Sequence, residues 1–310
     1  MFYLLFLPLF FLVMYFYFQV ADHYNIVDRP NERSSHTVLT IRGGGVIYLF
    51  AALVALVMHP AYWMFISGLF IIGVISFIDD RITLSSKLRI LFHLIAVTLS
   101  LWSANVFNAY PWWVIPLLYI LMIGIINAYN FMDGINGITG LYSLVLLFGV
   151  QFVNYRVVSF VNPDLIWLPI LASLVFLFFI LEEARCFAGD VGSVSIAFWI
   201  VTLLIILILK AADYRYILFL AVYGVDAVLT IIHRLYLRQN IFEAHRLHFY
   251  QLLANEQKIP HLLVSLMYAV VQLTVIAIVV FLKIDVFILS AIILIPLVAI
   301  YLIFKPILMK

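Results

Sequence analysis

Charged side chains make up only 10% of this 310-residue chain, and it has a single cysteine, Cys186. Soluble domains carry about a quarter charged residues, so this scarcity excludes a water-soluble globule, a disordered chain and a coiled coil. One cysteine excludes a disulfide framework. A net charge of +2 is too small to point to a nucleic-acid partner. The first apolar run, Met1-Phe2-Tyr3-Leu4 onward, has no basic start and no clear small-residue cleavage site. It therefore reads as a retained helix and not as a cleaved signal peptide. No internal repeat, low-complexity stretch or long linker divides the sequence, so residues 1–310 read as one domain.

What is present is apolar: 67% hydrophobic residues and a mean hydropathy of +1.19. This is the composition of an all-α, polytopic integral membrane protein. Apolar runs predict about eleven spans, near 1–20, 44–58, 62–78, 88–106, 111–129, 138–153, 164–181, 191–209, 215–232, 262–282 and 285–304. The second, third and sixth are short, which leaves ten as the alternative count.

Basic residues choose the orientation. Loops 21–43, 79–87, 130–137, 182–190 and 233–261 and the tail 305–310 hold thirteen Lys and Arg, counting Arg89 with its adjacent loop. The other side holds four: Arg156, Lys210, Arg215 and Lys283. The bias places the first set in the cytoplasm, with the N-terminus outside and the C-terminus inside. Carboxylates contribute little to topology, yet eleven of the fifteen fall on that same face, among them Asp28, Asp79, Asp80, Asp133 and Asp190. Any chemistry is therefore expected at the cytoplasmic surface.

Four motifs and two lesser features stand out, each with a bland reading beside it. Phe77-Ile78-Asp79-Asp80-Arg81 ends the third span, where the helix dipole disfavours two carboxylates. Arg81 and Lys87 are the local cations that could offset them, and Mg²⁺ is the functional one. A solvated helix end with a salt bridge is slightly favoured on this pair alone. Asn127-Ala-Tyr-Asn130-Phe-Met-Asp133-Gly134-Ile-Asn136-Gly137-Ile-Thr-Gly140 repeats polar residues and glycines every third position. Glycines allow close backbone approach to a ligand, and Asn and Asp supply compact donors and acceptors. A plain loop needs fewer of them, so the functional reading wins there. In Phe187-Ala188-Gly189-Asp190-Val191-Gly192-Ser193, Asp190 reads either as an ordinary N-cap or as part of a phosphate cradle holding a metal. Glu243-Ala244-His245-Arg246-Leu247-His248 puts two histidines on one helix face and, with Arg246, reads as a set of phosphate donors. Its nulls are a surface amphipathic helix and a weak zinc site. Arg42-Gly43-Gly44-Gly45 closes a loop whose bland reading is membrane anchoring. Asp226 lies inside the ninth span, where a carboxylate is a functional candidate by default and a hydrogen bond to a neighbouring helix nearly as good an account.

In this order, and on one face, the motifs resemble the polyprenyl-phosphate N-acetylhexosamine-1-phosphate transferases. This is the glycosyltransferase family 4 superfamily that includes phospho-N-acetylmuramoyl-pentapeptide transferase. The resemblance runs from about Asp28 to Tyr250. The His245-Arg246-Leu247-His248 loop is similar to that of the O-antigen and capsule branch. Asn136 stands where many members have Asp, which leaves Asp133 as the carboxylate of that block. The resemblance implies that undecaprenyl phosphate attacks the β-phosphorus of a UDP-N-acetylsugar, giving undecaprenyl-diphosphate-sugar and UMP. That reaction would initiate cell-surface polysaccharide synthesis in a bacterial inner membrane. It also implies Mg²⁺ (Mn²⁺ as the alternative), held by Asp190 and Asp79. Asp79, Asp80, Asp133, His245 and His248 become the catalytic candidates, and Arg42, Lys87, Asn127, Asn130, Phe187 and Arg246 the substrate-binding ones. Phe187 matches the position that stacks on uracil. A homodimer is left open. The rival class, a transporter of an anionic substrate, wants midplane ionisable groups and internal symmetry; only Asp226 fits the first demand and nothing fits the second.

Overall fold

The computed structural model describes residues 2–28, 40–181, 185–240 and 246–309. The apolar runs become long helices: α1 (Phe6–His23), α2 (Val46–Met58), α3 (Trp63–Arg81) and α4 (Ser86–Ser103) come first. After a single turn, α5 (Val106–Ala109), follow α6 (Ile115–Met132), α7 (Ile138–Arg156), α8 (Asp164–Leu181), α9 (Gly189–Ala211) and α10 (Ala221–Tyr236). The short α11 (Phe249–Gln251) then leads through a π-helical turn to α12 (His261–Phe281) and α13 (Val286–Leu308). The only sheet among the described residues pairs β1 (Val27–Asp28) with β2 (Thr40–Ile41).

Among the described residues, nine helical segments are long and apolar enough to cross a membrane. The protein is therefore an all-α polytopic membrane protein. The two expected spans outside that set are α2, short at 13 residues, and α4, whose first two turns carry Lys87, Arg89 and His93. Two boundaries differ from expectation. Asp79 and Asp80 lie in the last turn of α3 and not in a loop. The last helix continues to Leu308, so Lys305 is no part of a solvated tail. Its ammonium is buried, donating to Thr230 Oγ1 at 3.3 Å and to the Tyr301 hydroxyl.

The centre of the bundle is α9. It is apolar on every side, which suits a helix buried all round, and it packs against α2, α3, α6 and α7. One expected helix, over 215–232, is broken in two. A 3₁₀ stretch, Tyr214–Leu220, precedes α10. Such a break inside a membrane needs other groups to satisfy the freed backbone. Gln272 of α12 supplies them: its Oε1 accepts from Val222 N at 3.2 Å and its Nε2 donates to Leu218 O at 3.4 Å.

The start of α2 crosses the start of α9 with backbone against backbone. A Cβ on Gly45 would stand 2.0 Å from the Cα of Gly192. Neither side has a flexible side chain that could yield. Gly45→Ala is therefore expected to destabilise the protein by more than the ~1–3 kcal/mol of ordinary overpacking, read as a large drop in melting temperature; unchanged melting would mean that the two helices are further apart.

Candidate active site

Backbone pairing builds the site. Phe187 N donates to Ile41 O at 2.8 Å, Gly44 N to Phe187 O at 2.8 Å and Gly45 N to Ala188 O at 3.0 Å. This stitches the first loop along the segment that enters α9, and sets Arg42 beside the end of α3.

There the Asp80 carboxylate reaches across to the first turn of α9. Its Oδ1 accepts from Asp190 N at 3.0 Å and its Oδ2 from Val191 N at 3.1 Å. Arg42 Nη2 lies 2.8 Å from Asp80 Oδ1 and 4.0 Å from Asp190 Oδ1, and Arg42 Nη1 is 3.9 Å from Asp28. Asp80 is thus the cap of α9, supplied by another helix, and the N-cap reading of Asp190 falls. Asp190 sits inside the first helical turn, its side chain 24% exposed, whereas that of Asp80 is 1% exposed. The positive end of α9 and one guanidinium offset the carboxylates that the end of α3 disfavours. Burial opposes the charge on Arg42, but Asp80, Asp190 and Asp28 outweigh it and hold the guanidinium above its ordinary pKa.

Asp79 faces the other way. Its Oδ1 accepts from Leu84 N at 2.7 Å and its Oδ2 from Arg89 Nη1 at 3.0 Å. The expected local cations do not serve: Arg81 donates to Tyr24 O at 3.2 Å, and Lys87 is exposed. Arg89, counted in the sequence only as a topological charge, is the partner.

Across from these lies the Asn127–Gly140 block. Asn130 Oδ1 accepts from Ser193 Oγ at 3.4 Å, tying α6 to α9, and its amide also faces the Asp190 carboxyl. Asn127 donates to Ile123 O of its own helix at 2.9 Å and turns away from the group. Asp133, just past α6, has no cation partner among the described residues. Burial pushes its carboxyl up to about 7; the Thr139 hydroxyl pulls it down, and the Asp190 and Asp80 charges add to the rise. A carboxyl raised in the folded state stabilises the protein below its unfolded pKa of about 4, and that stability is lost as pH rises through about 7. Metal-free Asp133→Asn is therefore expected to melt higher than the native protein at pH 8, with the gap closing towards pH 5. A gap independent of pH would contradict the assignment.

The glycines serve protein groups. Gly189, at φ +69°, is where Asp80 Oδ2 approaches to 2.5 Å of a built Cβ, and a Cβ on Gly134 would meet the Tyr250 hydroxyl at 2.2 Å. That hydroxyl donates to Phe131 O at 2.9 Å and anchors the 246–250 segment to the end of α6. His248 is buried there, its Nδ1 3.4 Å from Asp226 Oδ1, and it caps α11. Asp226 also accepts from Phe249 N at 2.9 Å, Tyr250 N at 3.3 Å, Tyr268 Oη at 2.7 Å and Thr230 Oγ1 at 3.2 Å. It is a structural hub, the second of the two readings open from sequence. Phe187 and Arg246 are half-buried near these segments. His245 lies outside the described residues.

The sequence model of glycosyl transferase family 4 matches residues 62–208, which contain Asp79, Asp80, the Asn127–Gly140 block and the start of α9. Over that stretch, just under half of its length, the chain is similar to glycosyl transferase family 4. It is 26% identical over 254 residues to a probable undecaprenyl-phosphate N-acetylglucosaminyl 1-phosphate transferase of Bacillus subtilis, covering 75% of this chain and 70% of the relative. It is 25% identical over 250 residues to the undecaprenyl-phosphate alpha-N-acetylglucosaminyl 1-phosphate transferase of Thermotoga maritima, covering 79% of each. With the phospho-N-acetylmuramoyl-pentapeptide-transferase of Dictyoglomus turgidum it shares 27% over 180 residues, 53% of this chain and 58% of the relative. The two N-acetylglucosaminyl relatives are thus matched over a greater length than this pentapeptide transferase. The matched stretch ends inside α9, so the 246–250 segment and its Asp226 hub lie beyond it.

Proposed function

We propose that the chain transfers an N-acetylated sugar-1-phosphate from a UDP-sugar to undecaprenyl phosphate, releasing UMP, on the cytoplasmic face of a bacterial inner membrane. The observation that carries this reading is the meeting of Asp80 and Asp190, both inside the family-matched stretch, with Arg42 from the preceding loop at the N-terminus of α9. The names of the bacterial relatives support the acceptor.

Phosphoryl transfer asks the protein for positioning and charge neutralisation more than for covalent chemistry. Arg42 is the cation nearest Asp80 and Asp190, and phosphate oxygens would share it and the first amides of α9 with Asp80. Asp79 and Asp80 are already engaged by arginines and backbone amides, so Asp133 is the carboxylate left to take up a proton from the lipid phosphate. No ready-made group of three acidic or histidine ligands exists among the described residues. Mg²⁺ does not need one, because it binds through one or two carboxylates plus waters and substrate phosphates. The donor set therefore fits: Asp190 would hold the ion, and Asp79 would join only by releasing Arg89. The metal would neutralise charge on the diphosphate. The transporter alternative loses its one intramembrane carboxylate, since Asp226 is fully engaged by protein donors.

The test is UMP release from a panel of UDP-N-acetylsugars by purified protein, with and without undecaprenyl phosphate and Mg²⁺. Release that needs both supports the reading; no release from any sugar contradicts it. Reporters fused after Lys310 and within residues 155–163 test the orientation, with the first expected inside and the second outside.

A further inference from the structure

Lys305 lies in the last turn of α13. A lysine so placed ordinarily runs its stem along the helix and leaves its ammonium in water at the membrane surface. This one turns inward and is 3% exposed. Among the described residues of α13, only Leu289, Ile293, Tyr301 and Lys305 are buried. A helix that otherwise faces lipid thus puts a charge at one of its few inward positions. Charges inside a membrane protein pair with one another or with the backbone.

The hydrogen bonds name the opposite charge. Lys305 Nζ donates to Thr230 Oγ1 at 3.3 Å and to the Tyr301 hydroxyl, and the two hydroxyls are 2.7 Å apart. An ammonium only donates, and a hydroxyl has one proton to give. Tyr301 accepts from Lys305 and gives its proton to Thr230. Thr230 gives its own to Asp226 Oδ1 at 3.2 Å, nearer than the alternative acceptor, Leu247 O, at 3.5 Å. Every donor in the path therefore points from Lys305 towards the carboxylate. Asp226 also receives Phe249 N, Tyr250 N and the Tyr268 hydroxyl, with His248 Nδ1 at 3.4 Å. Donors converge on both oxygens, the pattern of an ionised carboxylate, which only accepts. His248 belongs to the segment being held, whereas Lys305 reaches it from outside. The Tyr250 hydroxyl then bonds Phe131 O, two residues before Asp133. One hydrogen-bonded path runs from the last helix to the candidate site.

We propose that Lys305 is a positioning residue: through Thr230 its charge balances Asp226 and so fixes the 246–250 segment, which carries Arg246, against the end of α6. The part Arg246 plays towards the sugar nucleotide rests on the function proposed above. A lysine that only docked α13 would leave that segment unchanged when replaced.

Lys305→Met keeps the length of the side chain and removes its charge. Hydrogen exchange of the purified protein, read by mass spectrometry, needs no substrate. Amides of residues 246–252 are expected to exchange roughly two- to thirty-fold faster, with those of α3 and α9 unchanged. Asp226→Asn is expected to do the same, and the double variant to exchange more slowly than the two effects combined, because neither change leaves a second charge uncompensated. KM for the UDP-sugar is expected to rise in Lys305→Met while KM for undecaprenyl phosphate stays, and Lys305→Arg, which keeps the charge, should restore both exchange and KM. Native exchange at 246–252 in Lys305→Met, faster exchange spread evenly over the chain, or fully additive effects would overturn the proposal. If Lys305→Met does not accumulate, Thr230→Val, which cuts the path and keeps the shape, is judged by the same exchange result. Faster exchange with native KM values overturns the role towards the sugar nucleotide. If no sugar is turned over, the proposed reaction fails, while the exchange series still decides whether Lys305 holds the segment.

Discussion

Asp190→Asn is expected to accumulate in the membrane and melt like the native protein, while UMP release falls at least ~10²–10³-fold, the scale of losing one transition-state charge contact. Folding should be spared because Asp190 does not cap its helix; its backbone amide is held by Asp80, and that bond survives the change. The Asn side chain keeps the shape and removes one carboxylate charge from the cluster it forms with Asp79, Asp80 and Asp133. A hard cation loses its preferred ligand, so the deficit should grow as Mg²⁺ is made limiting. Near-native turnover of Asp190→Asn at limiting Mg²⁺ would remove the metal role from Asp190 and transfer it to Asp79 or Asp133.

Asp80→Ala is expected to fail in a different way. It strips both capping oxygens from α9 and the 2.8 Å partner from Arg42. Losing a cap alone costs about 0.5–2 kcal/mol, and breaking a fully buried ion pair about 3–5 kcal/mol. Arg42 is 36% exposed and keeps Asp28 and Asp190 nearby, so about 2–4 kcal/mol is expected between those limits. Melting and activity should fall together. Asp80→Asn keeps one acceptor oxygen and should lie between the two in stability. An Asp80→Asn protein that melts normally yet is inert would give Asp80 a direct part in the chemistry in place of a positioning one.

These contrasts mark what is legible in the chain itself. Asp79, Asp80, Asn130, Asp133 and Asp190 stand out because carboxylates and amides next to glycines have no reason to interrupt apolar runs otherwise. Helix positions follow from the same runs, to within a few residues. Partnerships are less legible. Arg42 looks like an anchoring charge until residues 41–45 pair with 186–188. Asp190 looks like the cap because it precedes the apolar run, but the cap comes from a residue 110 positions away. The break before α10 depends on Gln272, 50 residues further on. Lys305 reads as a tail charge because Tyr301, one turn back, does not by itself bury it and nothing local shows Thr230 of α10 beside it. Gly134 and Gly189 read as ligand-facing because nothing local shows that a tyrosine hydroxyl and a carboxylate from distant segments fill those spaces. In each case a deciding group comes from a segment distant in sequence.

The most direct measurement follows the two phosphorus atoms of the sugar nucleotide. UDP-N-acetylsugar labelled separately at the α- and β-phosphorus is given to the purified protein with undecaprenyl phosphate and Mg²⁺. Transfer of sugar-1-phosphate puts the β label in the lipid product and the α label in UMP. Release of UDP carrying both labels, with an unlabelled lipid product, would contradict the account.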